Sequence, residues 1–190
     1  VAYAKSQGLQ VVITDHHDIP EVLPIADAII NSNFLPNDHP LSSLPGVGVA
    51  YKLLEALFAN AGMDDQLAQF LDLVALGIIA DVATLKGDAR YLVQIGLRQL
   101  RKSKRIGLRS LYKEAKIQPE FITEMDIGFG IAPRLNALGR LSDAKMIVEF
   151  FTTEDKSRAE IMAAQLEGLN ERRKAYTKQI FSGAISQIET

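Results

Sequence analysis

The sequence predicts a helix-rich α/β fold with parallel strands, followed by one long helix. Two short β-branched runs, a series of amphipathic segments and a proline-free tail predict it. The first run, Leu9-Gln10-Val11-Val12-Ile13-Thr14, follows Gly8 and reads as a buried strand. Before it, Val1-Ala2-Tyr3-Ala4-Lys5-Ser6-Gln7 reads as the last turns of a helix, with Gly8 in the position that closes it. A helix and then a strand is half of a βαβ unit, the arrangement that makes strands parallel. The second run is Asp27-Ala28-Ile29-Ile30.

The remaining elements follow in order. Residues 31–45 hold three prolines and read as a loop. Residues 46–60 open with Gly46-Val47-Gly48-Val49 and become a helix with Tyr51, Leu54, Leu57 and Phe58 on its apolar side. Residues 66–79 read as a helix that is almost wholly apolar after Leu71, hence buried. Residues 89–100, 108–115 and 144–151 are amphipathic. From 153 to 190 there is no Pro, and Gly occurs only at 168 and 183. Thr152 with Asp155, or Thr153 with Lys156, starts this last helix. It would reach roughly 50 Å at 1.5 Å per residue. Its first half offers Ala159, Met162, Leu166 and Leu169 to a core, and its second half carries Tyr176, Ile180, Phe181, Ile185 and Ile188. The expected division is therefore a domain over 1–152 and a connecting helix over 153–190. Both ends read as cut from a longer chain, and the second half of the helix is expected to fray or to self-associate.

Composition narrows the function classes. Of 190 residues, 47% are hydrophobic and 23% charged, as in ordinary globular proteins. No stretch approaches 18 uninterrupted apolar residues, so no membrane span is expected. There is no cysteine, which excludes disulfides and thiolate metal sites and fits a cytoplasmic setting. The net charge of −2 means that any nucleic-acid binding must be local.

Four features carry chemistry. Asp15-His16-His17 stands at the end of the first strand. In open parallel sheets, ligands bind beyond the carboxyl ends of strands. A carboxylate and two imidazoles there suit a divalent metal and a phosphate. Asp81 is the only charge between Asp72 and Lys86, and a carboxylate in apolar sequence needs a partner or a metal. A helix cap or a partner for a buried Arg is the competing explanation. The third feature is Gly128-Phe129-Gly130-Ile131-Ala132-Pro133-Arg134-Leu135-Asn136-Ala137-Leu138-Gly139-Arg140-Leu141. It interleaves Arg134, Asn136 and Arg140 with Gly and Pro, as a phosphate-binding loop or a helix-docking loop would. Finally, Arg98, Arg101, Lys102, Lys104, Arg105 and Arg109 place six cations in twelve residues with no acid, a DNA-backbone track or a solvated face.

Together these segments resemble a known family. Thr14-Asp15-His16-His17 resembles the signature of the DHH phosphoesterases. The stretches Pro45-Gly46-Val47-Gly48-Val49-Ala50-Tyr51-Lys52-Leu53, Leu71-Asp72-Leu73-Val74-Ala75-Leu76-Gly77-Ile78-Ile79-Ala80-Asp81-Val82 and Ile131 to Leu141 resemble, in order and approximate spacing, the RecJ-type exonucleases of that family. Ala163-Ala164-Gln165-Leu166-Glu167-Gly168-Leu169-Asn170-Glu171-Arg172-Arg173 resembles their long connecting helix. The resemblance implies the C-terminal part of a DHH-type parallel-sheet domain, in an enzyme that degrades single-stranded DNA from its 5′ end in recombination and repair. It implies Mn2+ or Mg2+ in a two-metal site, with His16 and Asp81 as metal ligands. His17 and Asp15 would be catalytic, His17 touching the scissile phosphate and Asp15 orienting the cluster. Arg134, Asn136 and Arg140 would bind substrate. Helicase or single-strand-binding-protein partners are implied for the whole protein.

The departures from the family pattern also matter. Its Asp-x-Asp carboxylates precede the Asp-His-His segment, and a Gly-rich His motif and an OB-fold follow the long helix. None is in this chain. Ile78-Ile79 and Ala83-Thr84 vary from the family pattern around Asp81. The metal site is expected to be incomplete here and the isolated chain inactive. Two other readings are a small-substrate DHH phosphodiesterase or pyrophosphatase, and a catalytically silent RecJ-like replication scaffold.

Overall fold

The computed structural model describes residues 1–141 and 145–188, with the side chains of 139–141 outside the description. The chain is a helix-rich α/β protein that divides into two compact units, Val1–Leu100 and Arg101–Thr190. The segment from 153 onward is thus grouped with the residues from 101, rather than forming a body of its own.

In the first unit, α1 (Ala2–Ser6) ends at Gly8, whose φ of 76° only a residue without Cβ adopts freely. Strands β1 (Val12–Asp15) and β2 (Ala28–Asn31) pair in parallel, with Val12 opposite Ala28 and Asp15 opposite Asn31. The expected burial of the first strand is not found: Val12 is 54% exposed and Ile13 only half-buried. Among the described residues the sheet has two strands, too few to enclose either of them.

A 3-10 turn (Ser32–Phe34) and further turns lead to α2 (Gly46–Ala61). The predicted single helix over 66–79 is instead a 3-10 segment (Asp64–Phe70) running into α3 (Leu71–Ala80). α4 (Gly87–Lys102) crosses α3 where Gly96 faces Leu71 and Ala75. Val49, Tyr51, Val74, Ala75, Ile78, Leu92, Val93 and Leu97 form the core of this unit.

In the second unit, α5 (Ile106–Glu114) packs on α7 (Lys145–Thr152) and on α8 (Lys156–Ile188). The expected loop over 128–141 is helical instead: a π-helical turn (Asp126–Ile131) continues into α6 (Ala132–Leu141), which also packs on α8. Pro133, which has no N–H to donate, stands just after the π-helical turn, where the regular hydrogen-bond ladder is already interrupted. Asp155 starts α8: its Oδ1 accepts the Arg158 N–H at 3.1 Å, while Thr153 Oγ1 accepts the Asp155 N–H. Ala159, Met162, Leu166 and Leu169 of α8 are buried. Tyr176, Ile180, Phe181, Ile185 and Ile188 are exposed.

Candidate metal centre

The end of β1 carries the donor groups because the strand stops at Asp15 and the next residues turn over the sheet edge. Asp15 Oδ1 organises that turn. It accepts the backbone N–H groups of His16 at 2.7 Å and His17 at 3.2 Å, and lies 2.7 Å from His17 Nδ1. The His17 ring and the two N–H groups pull the Asp15 carboxyl down to about 2, so it is ionised at any neutral pH. Asp15 in turn raises the pKa of His17. With Nδ1 held by the carboxylate, His17 presents Nε2 to solvent on a side chain that is 78% exposed.

The His16 ring lies beside that of His17, with their centroids 4.5 Å apart. It rests on the first residue of α2, where a Cβ on Gly46 would lie 3.1 Å from Nδ1. Its Nδ1 is 3.7 Å from Asp15 Oδ1 and its Nε2 is 3.6 Å from Asp81 Oδ2. The imidazole therefore stands between two carboxylates, one from the strand end and one from the end of α3. Asp81 is not the buried group its apolar context suggests. It is the C-cap residue of α3 and its side chain is 43% exposed. The next residue, Val82, has φ of 57° and is 89% exposed. A β-branched residue in the left-handed region is a strained arrangement costing on the order of 1–3 kcal/mol, and here it adjoins the candidate site.

Two residues unmarked by the sequence reading hold this turn. Asn31, only 9% exposed, donates from Nδ2 to the His17 carbonyl at 3.0 Å and accepts the Asn33 N–H with Oδ1. Asn33 Nδ2 donates to the carbonyls of His16 and His17 at 3.0 and 3.2 Å. The available signal was the Asn31-Ser32-Asn33 triplet at the same end of the parallel strand pair. Parallel pairing puts both strand ends on one edge.

The donor set fits a hard or borderline divalent cation. Ligand atoms of Asp15, His16 and His17 lie within 4.8 Å of one another, and all donors are carboxylate oxygen or imidazole nitrogen. The adjoining cleft, lined by His16, Ser32, Asn33, Pro45, Asp81 and Thr84, has a volume of about 170 Å³. That is below the roughly 300–1,000 Å³ of pockets for drug-sized ligands, and suits an ion with its waters.

The other sequence-marked residues lie in different surroundings. Arg134, on α6, is 13% exposed; its Nε is ion-paired to Glu167 of α8 and its Nη1 donates to the Gly130 carbonyl. Asn136 is exposed on α6. The Arg140 side chain lies outside the described residues. In the basic run, Arg101 donates to the Ile122 carbonyl and Arg105 to the Phe151 carbonyl, each at 3.2 Å. These two guanidiniums thus tie the second unit together. Arg98, Lys102, Lys104 and Arg109 are exposed.

The chain is similar to known proteins along its whole length. The profile described as the DHH family, N-terminal domain, matches residues 1–78. The single-stranded-DNA-specific exonuclease RecJ of Salmonella typhimurium is 40% identical over 100% of this chain, which corresponds to 35% of that protein. RecJ of Bacillus subtilis is 38% identical over 98% of this chain and 23% of its own length. The chain thus spans about a third or less of these curated relatives. Among solved structures, RecJ from Thermus thermophilus in complex with Mn2+ superposes with a TM-score of 0.85 at 31% identity, over 96% of this chain and 27% of that one. A RecJ exonuclease bound to manganese gives 0.86 at 31% identity, over 97% and 46%. The Mg2+ complex of the Thermus thermophilus protein gives 0.79 at 31% identity, over 93% and 26%. Residues 1–78 thus match the DHH-family N-terminal domain, and the chain as a whole is similar to a segment of the RecJ exonucleases.

Proposed function

We propose that this chain is part of the catalytic region of a metal-dependent exonuclease that hydrolyses phosphodiester bonds of single-stranded DNA from the 5′ end, in recombination and repair. Residues 1–152 serve as the catalytic portion and 153–190 as a connecting helix. One observation carries the reading: Asp15, His16 and His17 cluster at the carboxyl edge of a parallel strand pair, and Asp81, at the end of α3, comes within 3.6 Å of His16 Nε2. The similarity to RecJ exonucleases, two of them solved with Mn2+, points to the same chemistry.

His16 Nε2 and Asp81 would hold a Mn2+ or Mg2+ ion. A bound divalent ion lowers the pKa of a water and neutralises charge on the phosphate. Asp15 fixes the orientation of the His17 imidazole through Nδ1 and holds the turn that carries both histidines through their backbone N–H groups. His17, held at Nδ1, offers Nε2 to the scissile phosphate or to a proton in transit. Asn31 and Asn33 keep the turn rigid. Asn136 and Arg140 would bind substrate, and Arg134 would do so by leaving or sharing Glu167.

Mn2+ titration followed by electron paramagnetic resonance tests the site. The expected affinity is weak, because this donor set is short of carboxylates to bridge two ions. His16→Ala and Asp81→Asn should each lower it by at least about tenfold. Unchanged affinity in both variants would remove the shared site. For the same reason the isolated chain should release little or no nucleotide from end-labelled single-stranded DNA. Robust Mn2+-dependent release that His17→Ala abolishes would show that the donors present suffice.

A further inference from the structure

We infer that the second unit carries its own binding site for the phosphodiester backbone of a single-stranded nucleic acid, in the cleft between α5 and the start of α8. It extends the function proposed above by adding a second contact to substrate. None of its residues belongs to the Asp-His-His cluster.

The cleft has a volume of about 480 Å³ and, among the described residues, gathers Lys104, Arg109, Lys113 and Lys156 with one carboxylate, Glu160. Sequence order conceals this grouping. Lys104 and Arg109 belong to the basic run, but Lys113 and Lys156 lie outside it. The packing of α8 along α5 brings them together. Arg109 and Lys113 are four residues apart and share one face of α5. Lys156 and Glu160 stand in the same relation on α8. The opposed carboxylate does not neutralise the site. Lys113 Nζ is 4.0 Å from Glu160 Oε1 with side chains 77% and 46% exposed, a loose and solvent-screened pair. Ser110, only 8% exposed, lines the same cleft, and its hydroxyl is a donor suited to a phosphate oxygen.

Like charges gathered in a concave site repel one another, and the same arrangement focuses field on an incoming anion. The layout selects among anions. Arg109 and Lys113 stand about 6 Å apart along α5 at 1.5 Å per residue, Lys104 lies beyond the start of that helix, and Lys156 lines the cleft from α8, so the cations are spread along the cleft rather than gathered at one point. A single phosphate cannot touch all of them, whereas consecutive phosphates of one strand can. No aromatic side chain lines the cleft, so the contact is to backbone rather than to stacked bases.

The test is fluorescence anisotropy of a labelled oligothymidylate with the full chain, over a series of salt concentrations, in EDTA so that no metal contributes. The triple variant Arg109→Gln, Lys113→Gln, Lys156→Gln should bind at least about tenfold more weakly at low salt. Its log–log salt slope should flatten by about 2, from roughly 0.7 per single-strand phosphate contact. The charge-matched control Lys116→Gln, Lys174→Gln, Lys178→Gln should change neither, and circular dichroism melts check that both variants are folded. The site is refuted if the wild-type chain does not bind at low salt, or if control and cleft variants weaken equally. It is also refuted if an oligoglutamate peptide of matched charge competes as well as unlabelled oligothymidylate, since that result assigns the cleft to an acidic protein segment. Loss of EDTA binding in His16→Ala and Asp81→Asn, with the cleft variant binding like the wild-type chain, would place the DNA contact at the strand end and overturn the inference. Failure of the Mn2+ titration, by contrast, would refute the metal-site reading without touching this result.

Discussion

Replacing Gly96 with Ala should destabilise the first unit, although alanine is the better helix former. Gly96 is buried in the middle of α4. A Cβ there would lie 2.3 Å from the Leu71 carbonyl oxygen and 2.5 Å from Ala75 Cβ, both on α3. Neither atom sits on a flexible side chain, so α3 and α4 must part by about 1 Å to reach ordinary contact at 3.4 Å. The helix-propensity gain is about 1 kcal/mol, against an overpacking cost of about 1–3 kcal/mol, or more where backbone must move. The net expectation is about 1–2 kcal/mol of destabilisation. Gly168→Ala is the internal control. It is also helical, but a Cβ there meets nothing within 4 Å, so it should stabilise α8 by roughly 0.5–1 kcal/mol. The assay is native-state hydrogen exchange resolved by residue, because one melting temperature is ill-defined for a chain of two compact units. Amides of α3 and α4 should exchange about tenfold faster in Gly96→Ala, since 1.4 kcal/mol is a factor of ten. Those of α8 should slow in Gly168→Ala. Because α3 ends at Asp81, the first substitution should also weaken Mn2+ binding and the second should not. Slower exchange in α3 and α4 of Gly96→Ala would show that the helices do not approach this closely.

Two further outcomes follow from single contacts. Gly46→Ala places a Cβ 3.1 Å from His16 Nδ1 and 3.5 Å from Cε1, so the ring must shift and its 3.6 Å approach to Asp81 is disturbed; Mn2+ affinity should fall while exchange in α2 is unchanged or slower, and unaltered affinity would show that the ring has room. Asp27 accepts from Lys5 Nζ at 2.7 Å and from the Val11 N–H at 2.6 Å, which lowers its pKa below the ordinary 3.8; the stability it lends to the α1–β1 connection is complete above that value and lost as pH falls through the lower folded value. The Val11 amide shift should therefore titrate in that acid window in the native chain and lose the step in Asp27→Asn, and a step that persists would assign it to another carboxylate.

Periodicity and punctuation determined much of the local structure by themselves. Gly8, the β-branched runs, the apolar face of 46–60 and the unbroken stretch after 153 each carry an intrinsic backbone preference, and each element forms within a few residues of its expected span. The buried face of α8 is legible for the same reason, since Ala159, Met162, Leu166 and Leu169 recur at the helical period. The Asp-His-His segment is legible as chemistry because its donors are contiguous and a strand end fixes where they point.

What depends on neighbours was decided only in three dimensions. The first strand is not buried as its sequence suggests, because an apolar run reports preference, while exposure depends on how many strands flank it. Asp81 has apolar sequence neighbours and yet is exposed, because a helix end turns a side chain outward regardless of what precedes it. The Gly and Pro of 128–141 suggest a loop, and packing on α8 makes the segment helix. Asn31 and Asn33 are marked in the sequence only as an Asn-Ser-Asn triplet, and their role comes from parallel pairing, which aligns two strand ends that are distant in sequence. The basic run is redistributed for the same reason. Its cations do not act as a block: Arg101 and Arg105 turn inward to carbonyl oxygens, and Lys113 and Lys156 join Lys104 and Arg109 across a helix–helix contact. Charge is written in the sequence, but the field it produces depends on distances between elements, and those are set by tertiary packing.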